Sequence, residues 1–163
     1  MSLDLLEQLR KNFEYDRWAN DRYGKALSAM TPSPEKAVKI LGHILFAKDV
    51  WLARLLGEDL SRFSSPFPEQ NLPDCLKKLE LVQDKWGRYL AGSTEASLAE
   101  TVLYTNLQGK KFRNKVQNIL VHVVNHSSYH RGQLAPLVTA AGGQRPDTDY
   151  IGYVIEIGEG GPA

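Results

Sequence analysis

Apolar residues recur at helical spacing in four long stretches of the chain, and short clusters of Pro, Gly and Ser separate those stretches. Leu5, Leu9, Phe13, Trp18, Tyr23 and Leu27 line one side of a helix expected from about Leu3 to Ala29, where Thr31 to Pro34 breaks the pattern. Ser33 can cap a second helix with Pro34 in its first turn, and Val38, Leu41, Leu45, Leu52 and Leu56 carry that helix to Gly57. Beyond a loop holding Pro66, Pro68 and Pro73, a third helix is expected from about Asp74 to Ala91, with Leu76, Leu79, Val82, Trp86 and Leu90 inward and Gly92 at its end. Thr101 to Thr105 and Lys111 to Arg113 flank a Gln108-Gly109 turn and read as a short β-hairpin. Asn114 can cap the last long helix, which Val116, Ile119, Leu120, Val123, Leu134, Leu137 and Val138 extend to about Ala141 before an irregular tail from about residue 142. The expected fold is all-α, a four-helix bundle with a hairpin before the last helix, connected either up-and-down or with a crossover.

A chain of 163 residues can close one core, and a single domain over 1–163 is expected. Its 20 basic and 19 acidic residues leave a formal charge of +1, so no excess of either sign draws in nucleic acid or an anionic membrane. Lys110, Lys111, Arg113 and Lys115 form only a short basic cluster, read as solvated surface, and no nucleic-acid partner is expected. The longest apolar stretch, Ile40 to Leu56, is interrupted by His43, Lys48, Asp49 and Arg54, which argues against a membrane span. The lone Cys75 cannot form an intrachain disulfide, and Met1 to Arg10 lack a secretory pattern, so a cytoplasmic location is expected. Cys75 itself reads as a plain buried or half-exposed thiol, and Trp18, Trp51 and Trp86 as packing.

Three of the four histidines, His122, His126 and His130, lie on the last helix. Residues four apart on a helix are turned by about 40° and rise by roughly 6 Å, so either His122 with His126 or His126 with His130 can converge on one ion. All three together fit poorly, because the outer two are about 12 Å apart along the axis. A further ligand must come from elsewhere, and the remaining histidine is His43, midway along the second helix. Any one of these imidazoles alone would be read as an ordinary half-buried side chain. All four falling within two bundle helices favour a metal instead. Residues three before each histidine are Ile40, Ile119, Val123 and Ser127, so no Glu-x-x-His pair of a di-iron site exists, and no His-Glu-x-x-His motif appears. The expected site is mononuclear and histidine-rich, with at least one coordination position open, as in catalytic rather than structural sites.

The segment Asn125-His126-Ser127-Ser128-Tyr129-His130-Arg131-Gly132-Gln133 resembles the NHxxxHRGQ signature of the DinB-like family of damage-inducible proteins. Tyr15-Asp16-Arg17-Trp18-Ala19-Asn20 and Leu41-Gly42-His43-Ile44-Leu45 are similar to two further stretches of that family in the same order. The resemblance spans most of the chain. It implies a four-helix bundle, commonly a homodimer, in which one histidine of the second helix and the two of the signature bind one divalent transition metal such as Zn or Ni. Those positions here are His43, His126 and His130. Asp16 stands where the family often has asparagine, and Tyr129 where a histidine often precedes the last ligand.

The characterised branches that this resemblance brings in are transferases and isomerases using low-molecular-weight thiols, which makes a thiol-dependent S-transferase the leading expectation. A metal-dependent hydrolase of a small substrate and a non-catalytic metal-binding stress protein are the alternatives. His122 and Gln133 are the residues in sequence placed to orient the ligating rings. Arg54 and Arg131 could grip a substrate carboxylate, and are equally plausible as surface or dimer-contact charges.

Overall fold

Asp4 opens the first helix, α1 (Leu5–Ser28), by accepting the Leu6 N–H, so the helix starts two residues later than its periodicity suggests; Leu3 lies outside the described residues. The computed structural model describes residues 4–106 and 108–161. In α1 it is Leu6 that is buried, and Leu5 is exposed, as is Leu56 at the end of α2 (Glu35–Leu56). Ser33 does not cap α2. Its hydroxyl instead donates to the Leu27 and Met30 carbonyls, closing the end of α1, and Pro34 occupies the N-cap position of α2. Gly57, at φ 67°, takes up the left-handed conformation that stops α2.

Helix α3 (Leu72–Ala91) is capped by Asn71, whose side chain accepts from the Asp74 N–H, with Pro73 in its first turn. A five-residue helix, α4 (Glu95–Ala99), follows under a capping box of Thr94 and Ser97. Strands β1 (Thr101–Thr105) and β2 (Lys111–Lys115) pair antiparallel, with Thr101 opposite Lys115 and Thr105 opposite Lys111. Asn114 therefore belongs to a strand and donates to the Tyr104 hydroxyl instead of capping the last long helix, α5 (Val116–Ala140). The tail expected to be irregular carries a short helix, α6 (Tyr150–Glu156), which packs Tyr150 and Tyr153 on Tyr15 of α1.

Two halves of one core fix the helix directions. Leu6 and Leu9 of α1 meet Leu52, Leu90 and Ile119, whereas Tyr23 and Leu27 meet Val38, Leu41, Cys75, Leu79, Leu134 and Val138. Helices α1 and α5 therefore run one way, and α2 and α3 the other. The closest pairings are α1 with α5, α5 with α2, α2 with α3, and α3 with α1. The parallel pair α2 and α3 requires a chain return along the bundle, so the crossover form of the expected bundle is the one adopted. Residues 57–71 make that return. Phe63 anchors it against Phe46, Val50 and Ala53 of α2. Gly42 lets it lie close, because a Cβ there would come within 3.1 Å of the Gln70 side chain. Among the described residues, no helix is long and apolar enough to cross a membrane.

Candidate metal centre

The facing of α2 and α5 brings His43 to the pair on α5. One potential ligand nitrogen from each of His43, His126 and His130 lies within 4.8 Å of the others. His43 Nε2 is 3.1 Å from His130 Nε2, and His130 Nε2 is 3.2 Å from His126 Nε2. Of the two pairs that spacing on α5 allowed, His126 and His130 are the ones that share this cluster. His122, one turn earlier, is exposed; its ring packs edge-on against Trp51 at 5.1 Å and lies 5.6 Å from the His126 ring. No hydrogen bond among the described residues ties His122 to the cluster.

The outward nitrogens of two of the rings are held by oxygen. His43 Nδ1 is 2.6 Å from the Pro66 carbonyl oxygen, and His130 Nδ1 is 2.8 Å from Gln133 Oε1. Both oxygens can only accept, so each ring carries its proton on Nδ1 and turns a bare lone pair inward at Nε2. Two lone pairs 3.1 Å apart repel unless a cation stands between them. Nitrogens bound at about 2.1 Å and separated by roughly 90–110° at an ion would be about 3.0–3.4 Å apart. The observed separations of 3.1 and 3.2 Å fall inside that interval, so the three residues fit a divalent ion.

Electrostatics favour the neutral, ligating form. Burial, followed by the neighbouring His130, His43 and His122, pushes the His126 pKa down to about 4. Burial also lowers that of His43, against the opposing pull of its bond to Pro66 and with a further lowering by His130. The approach to the cluster is aromatic: Phe67 stacks on His43 at 4.3 Å, and Tyr129 meets His130 edge-on at 5.1 Å. Phe67 and the Pro66 carbonyl come from the 57–71 return. By its prolines that stretch is a connector, and no local signal in the sequence marks it as part of a site.

Arg131 sits beside His130 in sequence but on another face of α5. It is buried, not a surface, dimer-contact or substrate-gripping charge, and Nη1 donates to Asp16 Oδ1 at 2.5 Å, to Asn20 Oδ1 at 3.0 Å and to Ser127 Oγ at 2.8 Å. Lys48 pairs with the other oxygen of Asp16. Burial alone would raise the Asp16 pKa; the charges of Lys48 and Arg131, with hydrogen bonds from Lys48 and Ser127, hold it below its usual value. The two motif segments on α1 and α5 thus meet in a buried polar knot that fixes α5, and with it His126 and His130, against the bundle.

Arg54 projects near His122 with its guanidinium over Trp51 at 4.4 Å and Tyr104 at 5.0 Å. Trp86 is core, and Trp18 and Trp51 are half-buried. Cys75 is buried beside Gln70 and Val38 and is not among the clustered ligands, and burial raises its thiol to about 11, which favours the protonated form at neutral pH. Lys110, Lys111, Arg113 and Lys115 are exposed around the hairpin.

Comparison with known proteins places the chain in a family and a fold. The sequence profile of the DinB family matches residues 5–157. The protein DinB of Bacillus subtilis (strain 168) is 24% identical over 162 aligned positions, spanning 89% of this chain and 92% of that protein. The crystal structure of a DinB-like protein from Bacillus cereus ATCC 10987 superposes with a TM-score of 0.59 at 18% identity, covering 88% of this chain and 94% of that one. That likeness establishes a shared fold.

Proposed function

The chain belongs to the DinB family, and on that premise we propose that it is a divalent-metal enzyme in which His43, His126 and His130 hold one Zn or Ni ion for thiol-dependent S-transfer to a small substrate. The observation that carries the metal assignment is the convergence of three Nε2 atoms, with that of His130 3.1 Å from His43 Nε2 and 3.2 Å from His126 Nε2. A divalent ion held there would supply Lewis acidity, favouring the deprotonated form of a thiol at neutral pH. The chain's own residues do the rest. Pro66 and Gln133 keep the protons of His43 and His130 on the outer nitrogens. Phe67 and Tyr129 set aromatic rings beside His43 and His130, against which the apolar part of a small substrate would pack. S-transfer is favoured over hydrolysis by the family resemblance of the His126 to Gln133 signature.

A homodimer is part of this reading. Leu103 on β1 is 78% exposed, and Phe112 on β2 and Val121 on α5 are also exposed, large apolar side chains that a second copy would cover.

The test is an assay of zinc-loaded and nickel-loaded protein with low-molecular-weight thiols and an electrophilic acceptor such as 1-chloro-2,4-dinitrobenzene, scored by chloride release above the spontaneous rate. Metal-dependent acceleration that vanishes in His126→Ala is the expected result. Metal bound in full with no acceleration for any thiol would reject the transferase reading.

A further inference from the structure

The cluster lies where α2 faces α5. On the opposite side of the bundle, where α1 faces α3, a cleft of about 550 Å³ opens, a size ordinary for small-molecule sites of about 300–1,000 Å³. Phe13 and Trp86, whose rings are 4.7 Å apart, and Leu90 give it apolar walls. Lys48 reaches it from α2 through the core, is only 2% exposed, and lines the cleft with its ammonium 5.3 Å from the Phe13 ring.

Two features point to an anionic occupant. The Lys48 ammonium has three N–H donors, and among the described residues Asp16 is its one side-chain acceptor. Asp16 must also serve Arg131, so the buried group of two cations and one carboxylate carries a net charge of +1. Such a charge is costly to bury uncompensated. At the cleft itself Arg17 is paired with Asp84 at 3.2 Å, which leaves Arg10 and Lys48 beside the carboxylate of Glu14, and Arg10 is satisfied by the neutral carbonyls of Leu90 and Ser93, which leave its charge in place.

Gly87 is the third feature. It lies in the interior of α3, where glycine weakens a helix relative to alanine. Neither geometry nor packing requires it, since it has no positive φ and a Cβ there would meet nothing within 4 Å. Its effect is to leave the cleft open.

We propose that the cleft between α1 and α3 is a second binding site, for a small organic anion whose carboxylate faces Lys48 and whose flat apolar body lies against the wall that Phe13, Trp86 and Leu90 form. The experiment is calorimetric titration of the full chain with 2-naphthoate and with its neutral isostere, naphthalene-2-carboxamide, repeated on Gly87→Leu, which fills the cleft, and on His126→Ala, which alters only the opposite face. Naphthoate should bind saturably, the amide at least about tenfold more weakly, Gly87→Leu should lose at least about tenfold in affinity, and His126→Ala should bind as the parent does. Absence of saturable binding at about millimolar ligand, equal binding of acid and amide, or loss in His126→Ala overturns the proposal. So does full affinity in Gly87→Leu; if that variant does not fold, the amide comparison and His126→Ala decide alone.

Discussion

Gln133 Oε1 lies 2.8 Å from His130 Nδ1, one turn further along α5, and this contact dictates which nitrogen of His130 faces the cluster. An amide oxygen there fixes the Nδ1–H tautomer and leaves Nε2 bare. Replacing it with Gln133→Leu removes the acceptor at little cost in volume. Metal affinity is expected to fall by about 10–100-fold with one site per chain retained, measured by competition with a chromophoric chelator. Unchanged affinity would mean that the contact does not orient the ring.

The buried knot makes a second demand. In Asp16→Ala, Lys48 and Arg131 lose their shared carboxylate while both remain buried, a change expected to cost about 3–5 kcal/mol of stability in urea unfolding. Asp16→Asn keeps an oxygen for Arg131 and should cost less. Because the folded pKa of Asp16 is depressed, its contribution is present above the ordinary carboxylate pKa of about 3.9 and is lost as pH falls through the folded value. An Asp16→Ala protein as stable as the parent would show that the knot holds nothing together.

Acid should weaken the metal-free protein through His126 as well. The unfolded chain protonates its imidazoles near about 6.5, whereas folded His126 resists protonation until about 4, so the unfolded state binds more protons in that interval. Stability should therefore fall as pH drops from about 6.5 toward 4, with a shallower slope in His126→Ala. Chemical denaturation at a series of pH values reads this directly. Equal slopes in the two proteins would remove His126 from the account.

The proposed homodimer would use the exposed apolar residues of the hairpin and α5. Sedimentation at micromolar concentration should give twice the 18.3 kDa chain mass, and Leu103→Glu should shift it to the monomer. A parent protein that sediments as a monomer contradicts the homodimer.

How much of this was legible beforehand varies by element, for physical reasons. Four long helices follow from apolar periodicity, because burial of one face is what forms them. Helix α4 is five residues long, with Ser97 rather than Glu or Gln completing its capping box, and α6 owes its place to aromatic contacts with Tyr15, over a hundred residues away. Local rules see neither. Ser33 and Asn114 were plausible caps by residue type, but tertiary partners, the α1 carbonyls and the Tyr104 hydroxyl, claimed both side chains. At the site, helical spacing limited the α5 ligands to two pairs and left His43 by elimination. Spacing alone does not choose between the pairs, because that depends on how α2 faces α5; the Asn125 to Gln133 signature is what pointed to His126 and His130. Pro66 and Phe67 enter only because the bundle needs a return along α2.

The most direct test of the central claim is metal content by elemental analysis, for protein purified without immobilised-metal chromatography and then titrated with Zn, across the four single alanine variants of His43, His122, His126 and His130. One ion per chain is expected in the parent and, at saturating metal, in His122→Ala, whose affinity should drop by no more than about 10–100-fold. Tight binding should be abolished in His43→Ala, His126→Ala and His130→Ala, each checked to be folded. An empty parent that takes up no Zn, or a His130→Ala that keeps the metal while His122→Ala loses it, would contradict the account.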